Sequence, residues 1–255
     1  MQILACQYDI AWEDKARNFG QIDQMLSDVT ISPGSLIILP EMFSTGFSFN
    51  LDHIAEGKDR PAEQYMAQLA CDNESCVIGG LVTYDLSGKG LNQALAMGPD
   101  RRSLCRFTKL HPFTPAGEHL HFHRGHGPKV FDWQGWRVAM FVCYDLRFPE
   151  AFRLASKQDV QLMVVIANFP AKRDHHWRSL LVARAIENQC YVIAANRIGT
   201  DPNASYCGSS MVIDPMGHII KDAGSEQTVL NCELEQGNLC EYRKAFPVLH
   251  DRWLI

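Results

Sequence analysis

Val138-Ala139-Met140-Phe141-Val142-Cys143-Tyr144-Asp145-Leu146-Arg147-Phe148-Pro149-Glu150 is the stretch whose reading decides the fold. Five apolar residues in a row, bounded by polar ones, read as a buried strand. Pro149 suits the first turn of a helix, where its missing N–H costs nothing. A thiol at such a strand-to-helix turn stands at a sheet edge with backbone N–H groups nearby. A nucleophile and an oxyanion site can share that place. Free cysteines are also commonly small buried hydrophobes, so Cys143 has to be judged by residues elsewhere.

Outward from this point, strand-like and helix-like segments alternate. Residues 2–8, 36–39, 77–82, 137–142, 161–167 and 190–195 read as strands, the third interrupted by Gly79-Gly80. Residues 91–98 and 102–108 read as a hairpin around Gly98-Pro99-Asp100. In 14–29, Ala16, Phe19, Ile22, Leu26 and Val29 recur at helical spacing. Helices are also expected at 61–71, at 149–157, and at 174–189 with Asp174 as N-cap. The end, 208–232, is β-rich, with Asp214-Pro215-Met216-Gly217 as a turn. The alternation predicts α/β, and the hairpins predict mixed sheets. Strands from both halves are needed to gather the candidate residues, and no linker or repeat is visible, so 1–255 reads as one domain.

Composition narrows the function classes. The 255 residues are 46% hydrophobic and 21% charged, with net charge −5. No cluster of Lys/Arg with interleaved aromatics is present, which argues against nucleic acid. The longest apolar runs, such as Leu162 to Ala167, are strand length, so no membrane partner is expected. The N-terminus does not read as a signal peptide. Nine cysteines, an odd number, several within apolar runs, point to free thiols in a cytoplasmic setting.

Three residues complement Cys143. Glu41 follows Ile37-Ile38-Leu39-Pro40. Lys109 follows Arg106-Phe107-Thr108, and Glu118 lies in Ala116-Gly117-Glu118-His119. Sites in open α/β folds gather beyond the carboxyl ends of strands. A thiol that cleaves an amide needs a base for its proton, because the thiolate is the nucleophile. It needs donors for the oxyanion and an acid for the departing nitrogen. Glu41 can be base and then acid. Lys109, with the Tyr144 N–H, can hold the oxyanion, and Glu118 can orient Lys109. Taken singly, Glu and Lys are mostly solvated surface charges; four polar residues placed after four apolar strands are harder to dismiss.

With these residues in view, the chain resembles the nitrilase superfamily of carbon–nitrogen hydrolases. The resemblance rests on Pro40-Glu41-Met42-Phe43, on Lys109 to Phe113, on Cys143 to Phe148 and on Glu118. It continues through Asn168-Phe169-Pro170, Trp177, Ala183-Arg184-Ala185, Glu187-Asn188, Asn196-Arg197, Ser209-Ser210 and Asp214-Pro215. It implies an αββα sandwich, a Glu-Lys-Cys triad, no cofactor, and a homodimer with the 174–189 helix at its interface. Within the family the chain is most similar to the ω-amidase branch, which hydrolyses terminal amides of short 2-oxo acids. Pro149 departs from the small residue of some relatives, which bears on substrate rather than chemistry. Tyr144, Phe113, Arg147, Phe169 and Arg173 are candidate substrate-binding residues, with Arg173 or Arg147 clamping a carboxylate.

Other classes remain open at this stage. One is an amidase for another small carboxylated amide, such as a deaminated peptide or a carbamoyl compound. Another is a non-catalytic binding member, which the intact set of four argues against. A redox sensor would need a resolving cysteine beside Cys143, and none is adjacent. His119, His121 and His123 would share a side if extended, with His126 close by, yet no carboxylate or thiol completes a metal spacing. A polar loop without metal is expected there.

Overall fold

The computed structural model describes residues 1–253. The first half of the chain forms β1 (Gln2–Gln7), α1 (Lys15–Ser27), β2 (Leu36–Ile38), α2 (Leu51–Ile54), α3 (Pro61–Asp72), β3 (Cys76–Tyr84), β4 (Gly90–Met97), β5 (Ser103–Thr108) and α4 (Glu118–His121). There follow β6 (Val130–Trp133), β7 (Trp136–Val142), α5 (Pro149–Ser156), β8 (Leu162–Ala167), α6 (Asp174–Asn188), β9 (Tyr191–Asn196) and β10 (Ile198–Thr200). The last elements are β11 (Ser205–Cys207), β12 (Met211–Ile213), β13 (Ile219–Asp222), β14 (Thr228–Glu233) and α7 (Gln236–Ala245).

Two six-stranded sheets, ordered β14-β1-β2-β3-β4-β5 and β13-β12-β9-β8-β7-β6, lie face to face. Both are mixed: β1, β2 and β3 run parallel, as do β7, β8 and β9, while their flanks are antiparallel. The side-chain period of a strand explains the layering. In the first sheet Ile3, Ala5, Leu36, Ile38, Ile78, Ala94 and Phe107 point to the second sheet. The alternate residues Leu4, Cys6, Ile37, Leu39, Val77 and Leu95 pack under Ile22 and Leu26 of α1 and Met66 and Leu69 of α3. On the far side α5, through Phe152, and α6, through Trp177, Leu181 and Ala185, cover the second sheet. The architecture is therefore an αββα sandwich. No described helix is long and apolar enough to cross a membrane.

Most expected elements are present, with boundaries shifted by a residue or two. Asp174 is the first residue of α6 rather than its cap. Gly79-Gly80 does not interrupt β3. A Cβ on Gly80 would stand 2.5 Å from Glu41 Cα, so the glycine lets the chain carrying Glu41 lie against the strand. Strands β6, β10 and β11 and helices α2, α4 and α7 go beyond the sequence reading: the strands have only three or four residues, α2 and α4 have four each, and Gln236–Ala245 has no apolar stripe to announce it.

Candidate active site

Four loops meet beyond the strand ends, and each is tied down by its own backbone bonds. The loop after β2 is held by Leu39 N–H to Ile78 O, Gly80 N–H to Pro40 O, and Phe43 N–H to Gly80 O. The Tyr8 hydroxyl donates to Phe43 O at 2.6 Å. Lys109 leaves β5 with its N–H on Asn92 O (2.9 Å), and its C=O accepts from Gly125 N–H (2.8 Å). A Cβ on Gly125 would fall 2.2 Å from Thr108 O, so only glycine allows that approach. Cys143 follows β7 with φ +48° and Met42 follows Glu41 with φ +44°, left-handed backbone at non-glycine residues of the kind that collects at functional sites.

Asp145 fastens two of these loops together. Its buried carboxyl accepts from Leu110 N–H (3.1 Å), His111 N–H and His111 Nδ1 (both 2.9 Å), and Val142 N–H (3.1 Å). The segment behind Lys109 is thereby bound to the strand end that carries Cys143. Burial pushes the Asp145 carboxyl up, against the His111 hydrogen bond.

The structure brings Glu41, Lys109, Glu118 and Cys143 into one buried cluster. Lys109 Nζ donates to Glu41 Oε1 at 2.9 Å and to Glu118 Oε1 and Oε2 at 3.1 and 2.9 Å. These contacts occupy the three donors of an ammonium group. Asn92 Nδ2 reaches Glu41 Oε1 (2.7 Å) and Glu118 Oε1 (2.9 Å). The Asn168 N–H donates to Glu41 Oε2 (2.9 Å) and its Nδ2 to Glu41 O (2.7 Å). Phe113 N–H holds Glu118 Oε2.

The electrostatics follow from burial and from these partners. Burial pushes the Glu41 carboxyl up, but the Lys109 charge and the donors from Lys109, Asn92 and Asn168 outweigh it, leaving it below the usual range. Burial pulls Lys109 down, while Glu118, Glu41 and Cys143 overcome that and hold its ammonium well above the ordinary value. Burial first, then the Glu41 charge, pushes the Cys143 thiol well up, with Lys109 opposing. At rest the cluster is therefore a thiol beside a carboxylate.

Cys143 and Lys109 open on a cavity of about 390 Å³ whose wall includes Phe47, Phe113, Tyr144, Phe169 and Arg173. The Arg173 guanidinium lies over the Phe113 ring at 5.0 Å, and Lys109 Nζ stands 5.3 Å from the Phe47 ring. Four of the five candidate substrate-binding residues thus line the cavity. Arg147 does not: it points to His176 Nδ1 at 2.8 Å, because the short 3₁₀ turn Cys143–Arg147 carries it away from the thiol. Lys172, Asn203, Ala204 and Tyr206 also line the cavity. The last three come from the β10–β11 hairpin, whose shortness hid it from a periodicity reading. Asn92 and Asn168 were not expected as partners of the cluster either. The histidines do not share a side: Glu118–His121 is helical, His121 stacks on Phe49, and His123 pairs with Asp85. No metal-binding group of three side chains occurs among the described residues.

The sequence profile of the carbon–nitrogen hydrolase family matches residues 3–244. The Omega-amidase YafV of Yersinia enterocolitica is 38% identical over 253 residues, spanning 98% of this chain and 96% of that protein. The 2-oxoglutaramate amidase of Bacillus subtilis is 29% identical over 250 residues, spanning 98% and 96%. Among solved structures, a CN-hydrolase superfamily protein of Xanthomonas campestris has TM-score 0.94 at 32% identity, covering 100% of this chain and 98% of that one; it carries an arsenic adduct in its active site.

Proposed function

The chain belongs to the carbon–nitrogen hydrolase family, and we propose that within it the protein is an ω-amidase, hydrolysing the terminal amide of short 2-oxo acids such as 2-oxoglutaramate and 2-oxosuccinamate. The observation that carries this reading is one cavity with two unlike ends. Its floor holds the thiol of Cys143 beside the Glu41–Lys109–Glu118 cluster, and its wall carries the cations Arg173 and Lys172. The likeness to an omega-amidase and to a 2-oxoglutaramate amidase supports the substrate class.

The proposed cycle uses the four clustered residues. Sγ of Cys143 attacks the amide carbon while Glu41 takes the thiol proton. The oxyanion is held by Lys109 and the Tyr144 N–H. Glu41 returns the proton to nitrogen, the C–N bond breaks, and ammonia leaves a thioester. Glu41 then deprotonates a water, which attacks the thioester carbon. The second oxyanion collapses, expelling sulfur with its proton and releasing the dicarboxylate. Tyr144, Phe113 and Phe169 wall the acyl chain, and Arg173 faces its far carboxylate.

A panel of small amides read by ammonia release tests the assignment. 2-Oxoglutaramate and succinamate should be cleaved well. Glutamine should be poor, because its ammonium would sit near Arg173. Glutamine or a simple aliphatic nitrile outcompeting the 2-oxo amides would overturn the ω-amidase reading. We also propose a cytoplasmic homodimer. All nine cysteines are free, and apolar Ile186 and Met216 lie exposed on α6 and the adjoining turn. A monomeric mass in sedimentation equilibrium would remove the dimer.

A further inference from the structure

Asn92 sits near the start of β4, 1% exposed, and it touches all three charged members of the cluster. Its C=O accepts from the Lys109 N–H, and its Nδ2 donates to Glu41 Oε1 and Glu118 Oε1. Both side-chain partners are acceptors, so the chemistry fixes which end of the amide faces them. Its Oδ1 is buried without a hydrogen-bond partner among the described residues. An unpaired buried acceptor lowers stability, so packing alone does not explain an asparagine here.

The two glutamate oxygens that Asn92 holds are also oxygens that Lys109 holds. That overlap matters once the carbonyl oxygen of a substrate becomes an oxyanion. Lys109 has three N–H donors, and in the resting site all three lie on Glu41 and Glu118. To bond the oxyanion, one must be released, and the longest contact is the 3.1 Å one to Glu118 Oε1. Without another donor that oxygen would be left bare in a buried site, which is costly. Asn92 keeps it covered at 2.9 Å.

We propose that Asn92 is a positioning residue of the catalytic centre, holding the carboxylates of Glu41 and Glu118 side by side and covering their oxygens while Lys109 turns one N–H to the oxyanion. The groups that face it are Glu41 from the loop after β2, Lys109 after β5 and Glu118 from α4. Cys143 lies across the cluster, and Asp145 lies behind Leu110. Donors to an ionised carboxylate favour its charged form. Removing them makes Glu41 harder to ionise and so moves to higher pH the point at which the base becomes available.

The proposal rests on the thioester reading but not on the identity of the amide, and the test keeps the two apart. Alkylation of Cys143 by iodoacetamide forms an S–C bond, expels iodide and passes the thiol proton to Glu41, with no amide hydrolysed. Its rate is followed against pH at the Cys143 peptide by mass spectrometry, with Cys143→Ala as blank. In Asn92→Leu, which keeps the volume and removes the donors, the acid limb should move up by about one pH unit. In Asn92→Asp, which adds a third carboxylate, it should move further. In turnover of any amide the enzyme accepts, kcat should fall at least about tenfold with KM little changed, as expected of a contact strengthened in the transition state. If Asn92→Leu does not fold, Asn92→Ser, which keeps one donor, should show a smaller shift in the same direction. A folded Asn92→Leu or Asn92→Ser with the acid limb of the parent overturns the proposal. So does a loss that appears in KM alone.

Discussion

Along the floor of the cavity, Glu41, Lys109 and Glu118 are at most 1% exposed, and every charge is bonded to another charge or to a fixed N–H. In its wall, Lys172 is exposed and Arg173 half-buried, and Arg173 has no side-chain hydrogen bond or ion pair among the described residues, only the Phe113 ring. The difference separates two tasks. A preorganised, water-poor cluster costs no reorganisation when charge develops on the substrate. An unpartnered guanidinium is free to take a carboxylate when one arrives. In the proposed cycle the floor carries the chemistry and the wall the choice of substrate.

The strongest break of this division is at the floor. Cys143→Ala should abolish hydrolysis for every substrate while leaving the thermal midpoint close to the parent, since it removes one sulfur from an otherwise unchanged strand end. Glu41→Gln should stop both acylation and deacylation. Intact-mass spectra with a slow substrate should show a thioester adduct in the parent and none in Cys143→Ala. Appreciable amidase activity in Cys143→Ala would end the thioester mechanism.

Lys109→Ala is expected to cost at least about 10²–10³ in rate, the usual loss for one oxyanion donor. It should also destabilise the fold by roughly 3–5 kcal/mol, because it leaves buried carboxylates without a counter-charge. The sign with pH follows from the two shifts. Glu41 is held below its ordinary value, so its contribution is present above about 4.3 and is lost as pH falls through the lower folded value. Lys109 is held above its ordinary value, so its contribution is present below about 10.4 and is lost as pH rises through the folded value. The stability gap between parent and Lys109→Ala should therefore be widest between these limits and narrow on acidification. Denaturant melts across that range measure it, and a gap independent of pH would mean the charges are not the cause.

The same division explains what the sequence makes legible. Glu41 and Cys143 each end an apolar strand-length run and Lys109 ends the half-buried strand β5, so one-dimensional pattern and chemistry coincide; the same pattern predicts α/β with mixed sheets, while the sandwich is implied only by the family resemblance. Asn92 is not legible because a polar residue within a strand reads as an outward-facing position. Only the meeting of three loops shows that its side chain faces carboxylates. Asn168 is visible as part of a motif, but its hold on Glu41 joins residues 127 positions apart. For the histidines, alternate spacing implies a shared face only in extended chain, and Glu118–His121 turns helical.

The smallest expected effects come from the two arginines that sequence proximity could not separate, and they sharpen the comparison most. Arg173 lines the cavity over Phe113, whereas Arg147 is turned to His176 outside it. Arg173→Ala should lower kcat/KM for 2-oxoglutaramate by more than about tenfold, as loss of a charge-assisted contact of roughly 1.5–3 kcal/mol implies. The loss should shrink for an amide without the far carboxylate, because the contact is then absent in both proteins. Arg147→Ala should change kcat/KM for either substrate only slightly, since an exposed contact of this kind contributes little. The informative quantity is the ratio of the two substrates in each variant, which cancels general damage to the floor. A ratio that moves with Arg147 and stays fixed with Arg173 would place the carboxylate on the wrong side of Tyr144 in the present assignment.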